Sequence, residues 1–298
     1  MLLNHSTVEP SILLRDFQTI MNQSTLQIRR SLHLGALVAL GALLLTSLGC
    51  PRHTPPPDNA LEMPEELRVA IDARIATIDD ARFRNIVLEY FGDGDRMRVR
   101  QLILVQKPDH LRVQTRIPGS DEILNLLVSN GETFSMHQRD TNEYFRGAPT
   151  RENINRLLPV DLSSRDVVRV MLGGAPWDRF DEETSTPELE WDRERGLYRY
   201  SVQRVTGNDL FMLVRHTDFA VIEVRETSPE GDLVYAYTTE GWRDAGSIAL
   251  PGYRRFVWPD RDLDFSLDVG DTQLNISLDA HLFELPPPPG SRIIELDD

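Results

Sequence analysis

One cysteine and one lysine are all that this chain of 298 residues contains of those two types. A single cysteine allows no disulfide within the chain, and if that thiol is modified none is left for redox or metal chemistry. Positive charge is scarce altogether. Against 47 acidic residues stand 32 basic ones, all arginine except Lys107, for a net charge of −15. That balance removes the basic face a sequence-independent grip on nucleic acid requires. Beyond the N-terminal region no stretch approaches the roughly 20 apolar residues of a membrane-spanning helix. No serine sits in a Gly-x-Ser-x-Gly elbow, and no phosphate-cradling or dinucleotide glycine pattern occurs. Carboxylates are plentiful, yet none is tied by a motif to a base or nucleophile. His110, His137, His216 and His281 fall on separate segments without ligand spacing. Asp260-Arg261-Asp262-Leu263-Asp264 starts like a calcium loop, but Phe265 replaces the turn glycine and no glutamate closes it. The expectation is a protein that is not an enzyme and has no cofactor, metal or nucleic-acid partner.

What is present is concentrated first at the N-terminus. Arg29 and Arg30 precede the apolar run Leu34 to Leu45, then Thr46-Ser47-Leu48-Gly49, and then the lone Cys50. Charge, apolar core and small-residue exit stand in the order of a secretory signal. A cysteine directly after Gly49 resembles a bacterial lipobox, although Ser47 and Leu48 stand where an aliphatic and a small residue are usual. The resemblance implies diacylation of Cys50 and cleavage before it. The other reading is an ordinary cleaved signal with an incidental thiol. Glu9 and Asp16 suit a signal's basic front end poorly, which makes Met21 a candidate start. The chain therefore divides into a lipoprotein signal over 1–49, a lipidated cysteine and proline-rich tether over 50–63, and one domain over 64–298. The tether, with four prolines between Pro51 and Met63, should hold that domain off the membrane.

Inside the domain the hydrophobic period reports the elements. Pro64-Glu65-Glu66 opens a helix whose Leu67, Ile71, Ile75 and Ile78 share a face. From Arg82 the period becomes two. Arg82 to Phe91 is followed by Met97, Val99, Ile103 and Val105 alternating with Arg96, Arg98 and Arg100, and then by Leu111, Val113 and Ile117. Ile123 to Val128 and Thr133 to Gln138 complete a five-strand antiparallel meander with one wet face. The arginine row should face water and Met97, Val99 and Ile103 should face inward. Helical patterns follow at Arg151 to Leu158 and Ser163 to Leu172, the latter stopped by Gly173-Gly174. After a polar stretch, Asp181 to Glu188, eight further strands are predicted between Leu189 and Leu278. The fold class is mainly β with some helix (α+β). A one-sided sheet with inserted helices can curl round a lined hollow, or its apolar residues can simply fill a core.

The order of lipobox, proline tether, helix, meander, helical insertion and further strands resembles the LolA/LolB-like lipoprotein-handling superfamily, nearest to LolB-type outer-membrane lipoproteins and their uncharacterised relatives. Its local carriers are Leu102-Ile103-Leu104-Val105, Lys107-Pro108-Asp109-His110-Leu111-Arg112, Val128-Ser129-Asn130-Gly131, Tyr144-Phe145-Arg146-Gly147 and Phe283 to Ile294. The resemblance implies a half-open, strongly curved antiparallel sheet or barrel with helices over its concave apolar face. It implies a cavity for acyl chains of lipid or lipoprotein, for which Met97, Val99, Ile103, Leu111, Val113, Ile154, Leu157, Val167 and Met171 are the candidate lining. It also implies an anchor at the periplasmic face of the outer membrane and a periplasmic carrier protein as partner. One departure bears on delivery. LolB-type proteins carry an exposed leucine at a strand-connecting tip, where this chain has Pro118-Gly119-Ser120-Asp121. The competing expectation is an envelope scaffold that recognises another protein.

Overall fold

The structure, a computed structural model, describes residues 53–297 except 93, 118, 121, 159, 183 and 184. The signal segment, Met21, Cys50, and Pro118 and Asp121 of the loop tip lie outside the described residues. Helix α1, Pro64–Ile75, starts as its sequence dictates. Pro64 takes the first position, where no amide is missed, and Glu66 turns back so that its Oε2 accepts the amides of Glu62 and Met63 at 3.2 Å each. Leu67, Ile71 and Ile75 are buried beneath it.

The six strands that follow are β1 Asp80–Gly92, β2 Asp95–Gln106, β3 His110–Arg116, β4 Ile123–Asn130, β5 Phe134–Gln138 and β6 Glu143–Gly147. Three helices interrupt: α2 Arg151–Leu157, α3 Ser164–Met171 and α4 Trp177–Asp181. Eight strands resume as β7 Glu188–Asp192, β8 Leu197–Gln203, β9 Asp209–Arg215, β10 Val221–Thr227, β11 Leu233–Asp244, β12 Ala249–Trp258, β13 Leu263–Asp268 and β14 Asp271–Leu274, and β15 Arg292–Glu295 ends the chain. All belong to one sheet, ordered β15-β6-β5-β4-β3-β2-β1-β13-β12-β11-β10-β9-β8-β7, with β14 on the first half of β1. Every pairing is antiparallel except β15 on β6. The sheet is curved and unclosed, as the half-open antiparallel expectation requires.

β1 changes partner halfway. Ala81 to Arg84 pair with β14 and Val87 to Phe91 with β13. Between them the register on β2 shifts, and Asn85 takes a left-handed φ of 53°. Such a bulge bends and twists the strand. Gly270 permits the crossing, because a Cβ there would lie 2.9 Å from that of Asn85.

The alternation in β2 is clear only over Arg98 to Arg100, because Ile103, Leu104 and Val105 are all buried, Leu104 in a second cluster with Leu278 and Phe283. Arg96, Arg98 and Arg100 are exposed, while Val99 and Ile103 are buried. Met97 departs from expectation at 41% exposed. Paired with Tyr90 near the hairpin tip, it has the inward parity but is left uncovered at the strand's end. Three elements go beyond the sequence reading: β6, α4 and β15. Glu143–Gly147, to which the sequence reading assigned no element, forms β6, held by β5 on one side and β15 on the other. Trp177–Asp181 forms α4, with Trp177 and Phe180 each packing edge-on against Tyr200 at 5.6 Å.

Candidate functional site

The concave face of the sheet is apolar because each strand contributes every second side chain to it. Leu88 of β1, Ile103 of β2, Leu111 and Val113 of β3, Phe256 of β12 and Phe265 and Leu267 of β13 converge there. Above them lie α3, with Val167, Val170 and Met171, and the loop before it, with Leu158, Val160 and Leu162. Between the two layers is a cavity of about 70 Å³. Its one polar lining residue, Gln101, donates from Nε2 to Thr115 Oγ1 at 3.1 Å.

Of the nine candidate lining residues, Ile103, Leu111, Val113, Val167 and Met171 meet at this cavity. Val99 and Ile154 are buried in the same core without bordering the cavity, and Leu157 packs half-buried against that core. Met97 is exposed and is not part of the lining. The sequence reading missed the contributions of β12 and β13. Phe256 follows two arginines and Phe265 and Leu267 alternate with Asp264, Ser266 and Asp268, but nothing local says that β13 sits next to β1 and β12 next to β13.

Polar side chains fasten the cover at both ends of α3. At its C-terminus the wholly buried Arg254 of β12 donates from Nη2 to the Met171 carbonyl at 2.8 Å and from Nη1 to the Pro251 carbonyl at 2.7 Å. A cation is favourable against the unsatisfied carbonyls of a helix end. Burial pulls the Arg254 guanidinium below its ordinary range and pushes the neighbouring Tyr237 hydroxyl up to about 12. At the N-terminus, Ser163 Oγ accepts the Asp166 amide at 3.1 Å and donates to Asp178 Oδ2 at 2.6 Å. Asp166, 1% exposed, accepts the backbone amides of Asp178 and Arg179 at 3.2 Å each, so a residue of α3 caps the start of α4. Burial, and next the Asp178 carboxylate, push the Asp166 carboxyl up to about 7.

α4 is itself held down. Buried Arg179 donates to Asp161 Oδ2 at 2.9 Å and to Glu226 Oε2 at 2.7 Å. Trp177 Nε1 donates to Asp72 at 2.8 Å, and Arg68 of α1 forms a two-pronged pair with Asp181 at 2.7 Å. Among the described residues no cluster of three metal-ligating side chains occurs, and no helix is long and apolar enough to cross a membrane.

No family model and no curated protein matches the chain. Solved structures do. A DUF1329-family protein from Desulfovibrio piger superposes with a TM-score of 0.56 at 14% identity, over 74% of this chain and 95% of that one. A LolA superfamily protein from Nitrosomonas europaea gives 0.52 at 14%, over 76% and 99%. A domain from Vibrio parahaemolyticus named for outer-membrane lipoprotein sorting gives 0.53 at 8%, over 74% and 95%. At such identities the likeness concerns the fold alone, and the fold of this chain is the LolA/LolB-like one.

Proposed function

We propose that this protein is a lipid-anchored protein of the bacterial envelope, acylated at Cys50, that takes up acyl chains of lipid or lipoprotein beneath α3. The apolar cavity between α3 and the concave sheet carries the reading. The naming of a structural neighbour for lipoprotein sorting supports it. Each methylene removed from water is worth about 0.8 kcal/mol, so a long chain has a large incentive to enter such a space. No catalytic step is part of this reading.

At about 70 Å³ the cavity is far below the roughly 300 Å³ at which ligand pockets begin. Uptake therefore requires α3 and the preceding loop to lift. No disulfide can hold them down, and their polar ties can break and re-form. The same small volume favours a second reading, an envelope scaffold with a filled core that binds protein rather than lipid.

Fluorescent fatty-acid binding to the soluble unit, residues 53–298, separates the two. Val167 borders the cavity but is only half-buried, so a charge there is less costly than at the core positions. For the carrier, wild type binds fatty acid and Val167→Asp binds at least about tenfold more weakly, a loss near 1.4 kcal/mol, with little change in melting temperature. A wild type that binds no fatty acid leaves the scaffold.

A further inference from the structure

The segment ahead of α1 does not hang free. The Thr54 amide donates to the Arg193 carbonyl at 2.7 Å, and Trp191 Nε1 donates to the Thr54 carbonyl at 2.9 Å. Farther along, the Leu61 amide donates to the Tyr198 hydroxyl at 2.9 Å. Gly196, at φ 67°, makes room, since a Cβ there would come 3.1 Å from Thr54. The chain thus enters the domain clamped to the turn between β7 and β8. Three residues separate Cys50 from Thr54, and the four steps between them, fully extended, reach at most about 14 Å.

That turn belongs to a definable end of the molecule. Trp191 lies edge-on to His216, at the end of β9, at 5.5 Å. Asp218, in the β9–β10 turn, lies 3.8 Å from Arg74, whose Nη2 also bonds the Ala249 carbonyl at the start of β12. Lys107, between β2 and β3, donates to the carbonyls of Ile75 and Ala76 at 3.1 and 2.9 Å. Several strand-connecting turns are therefore gathered round the last turn of α1. From Gln106, β2 runs away from this cluster to Asp95, about 36 Å at the usual rise per residue. At its far end Phe91, Met97 and Ile117 are exposed, at 42%, 41% and 38%.

We propose that the Thr54 clamp fixes how the domain stands on its membrane. The strand end bearing the Arg193–Gly196 turn lies against the bilayer surface, and the end bearing Phe91, Met97 and Ile117 points away from it. The occupant of the first end is the bilayer, because the anchored cysteine lies so few residues from the clamp. This inference rests on the acylation of Cys50 proposed above. Its consequence is that the exposed apolar rim meets whatever arrives from the aqueous side and not the anchoring membrane.

The test uses the full lipid-anchored protein in vesicles of phosphatidylethanolamine and phosphatidylglycerol that contain a headgroup-bound quencher. Glu194→Cys and Asp95→Cys variants each carry a fluorophore on the introduced thiol. The Glu194 label is expected to be quenched several-fold more strongly than the Asp95 label. Equal or reversed quenching, with an acyl mass present on Cys50, overturns the orientation alone. Absence of that mass overturns the acylation and this inference together. Inserting about 12 Gly and Ser residues between Arg52 and His53, flexible over about 20 Å, should erase the difference between the labels. If the difference survives, the clamp does not set the orientation.

Discussion

Among the described residues no carboxylate touches the buried Arg254, and its charge is met by two carbonyls, the Tyr237 hydroxyl and the Phe83 ring face 5.6 Å away. Arg254→Met keeps much of the length and removes every donor. The carbonyls of Pro251 and Met171 then lose a buried partner, which costs about 1–3 kcal/mol. Because one of them ends α3, we expect a lower melting temperature together with faster amide exchange over Ser163 to Leu172 than elsewhere in the domain. Uniformly faster exchange would show that Arg254 supports the whole core and not the cover. Asp166 makes a prediction in pH. Its carboxyl lies at about 7 in the fold against an ordinary 3.8, so its contribution to stability is fully present below the ordinary value and is lost as pH rises through 7. Asp178 and Arg169 face it, and neither is changed in Asp166→Asn. Melting of that variant between pH 5 and 8 should vary less with pH than melting of wild type. An equal slope in both would place the titration elsewhere.

At the scale of the element, α3 was legible because its signals are local. Ser163 caps it, Asp166 sits in its first turn, and Gly173, at φ 80°, ends it. The first five strands were legible for the same reason, since short apolar segments, alternating in part, are separated by turns rich in Gly, Pro, Asn and Asp. α4 left no comparable trace. Five residues after Pro176 are too few to show a helical period, and what holds them is distant: Arg68 and Asp72 from α1 and Glu226 from β10. β6 needed β15, whose Arg292 aligns with Glu143 across most of the domain's sequence. Met97 shows the limit within one strand. Its face followed from parity, but how far the helical cover extends did not. The docking of Thr54 was hidden in the same way, because a proline-rich composition suggests a free spacer and says nothing of Trp191 and Arg193.

For the whole molecule, the arrangement of β1 beside β13 decides the candidate site. That adjacency brings strands from both sides of the helical insertion under one cover and places Phe256, Phe265 and Leu267 opposite Val167 and Met171. The result is an apolar space roofed by a short helix that is held by polar contacts at its two ends and by the burial of Val168, Val170 and Met171 against the core. The account's central claim is that an acyl chain enters there. Irradiating the protein with a fatty acid that carries a photoreactive diazirine near its methyl end, and then mapping the adducts by peptide mass spectrometry, tests it most directly. Adducts on Val167, Met171, Phe256 or Phe265 are the predicted result. No adduct at all, or adducts confined to the exposed Phe91 and Met97, would contradict it.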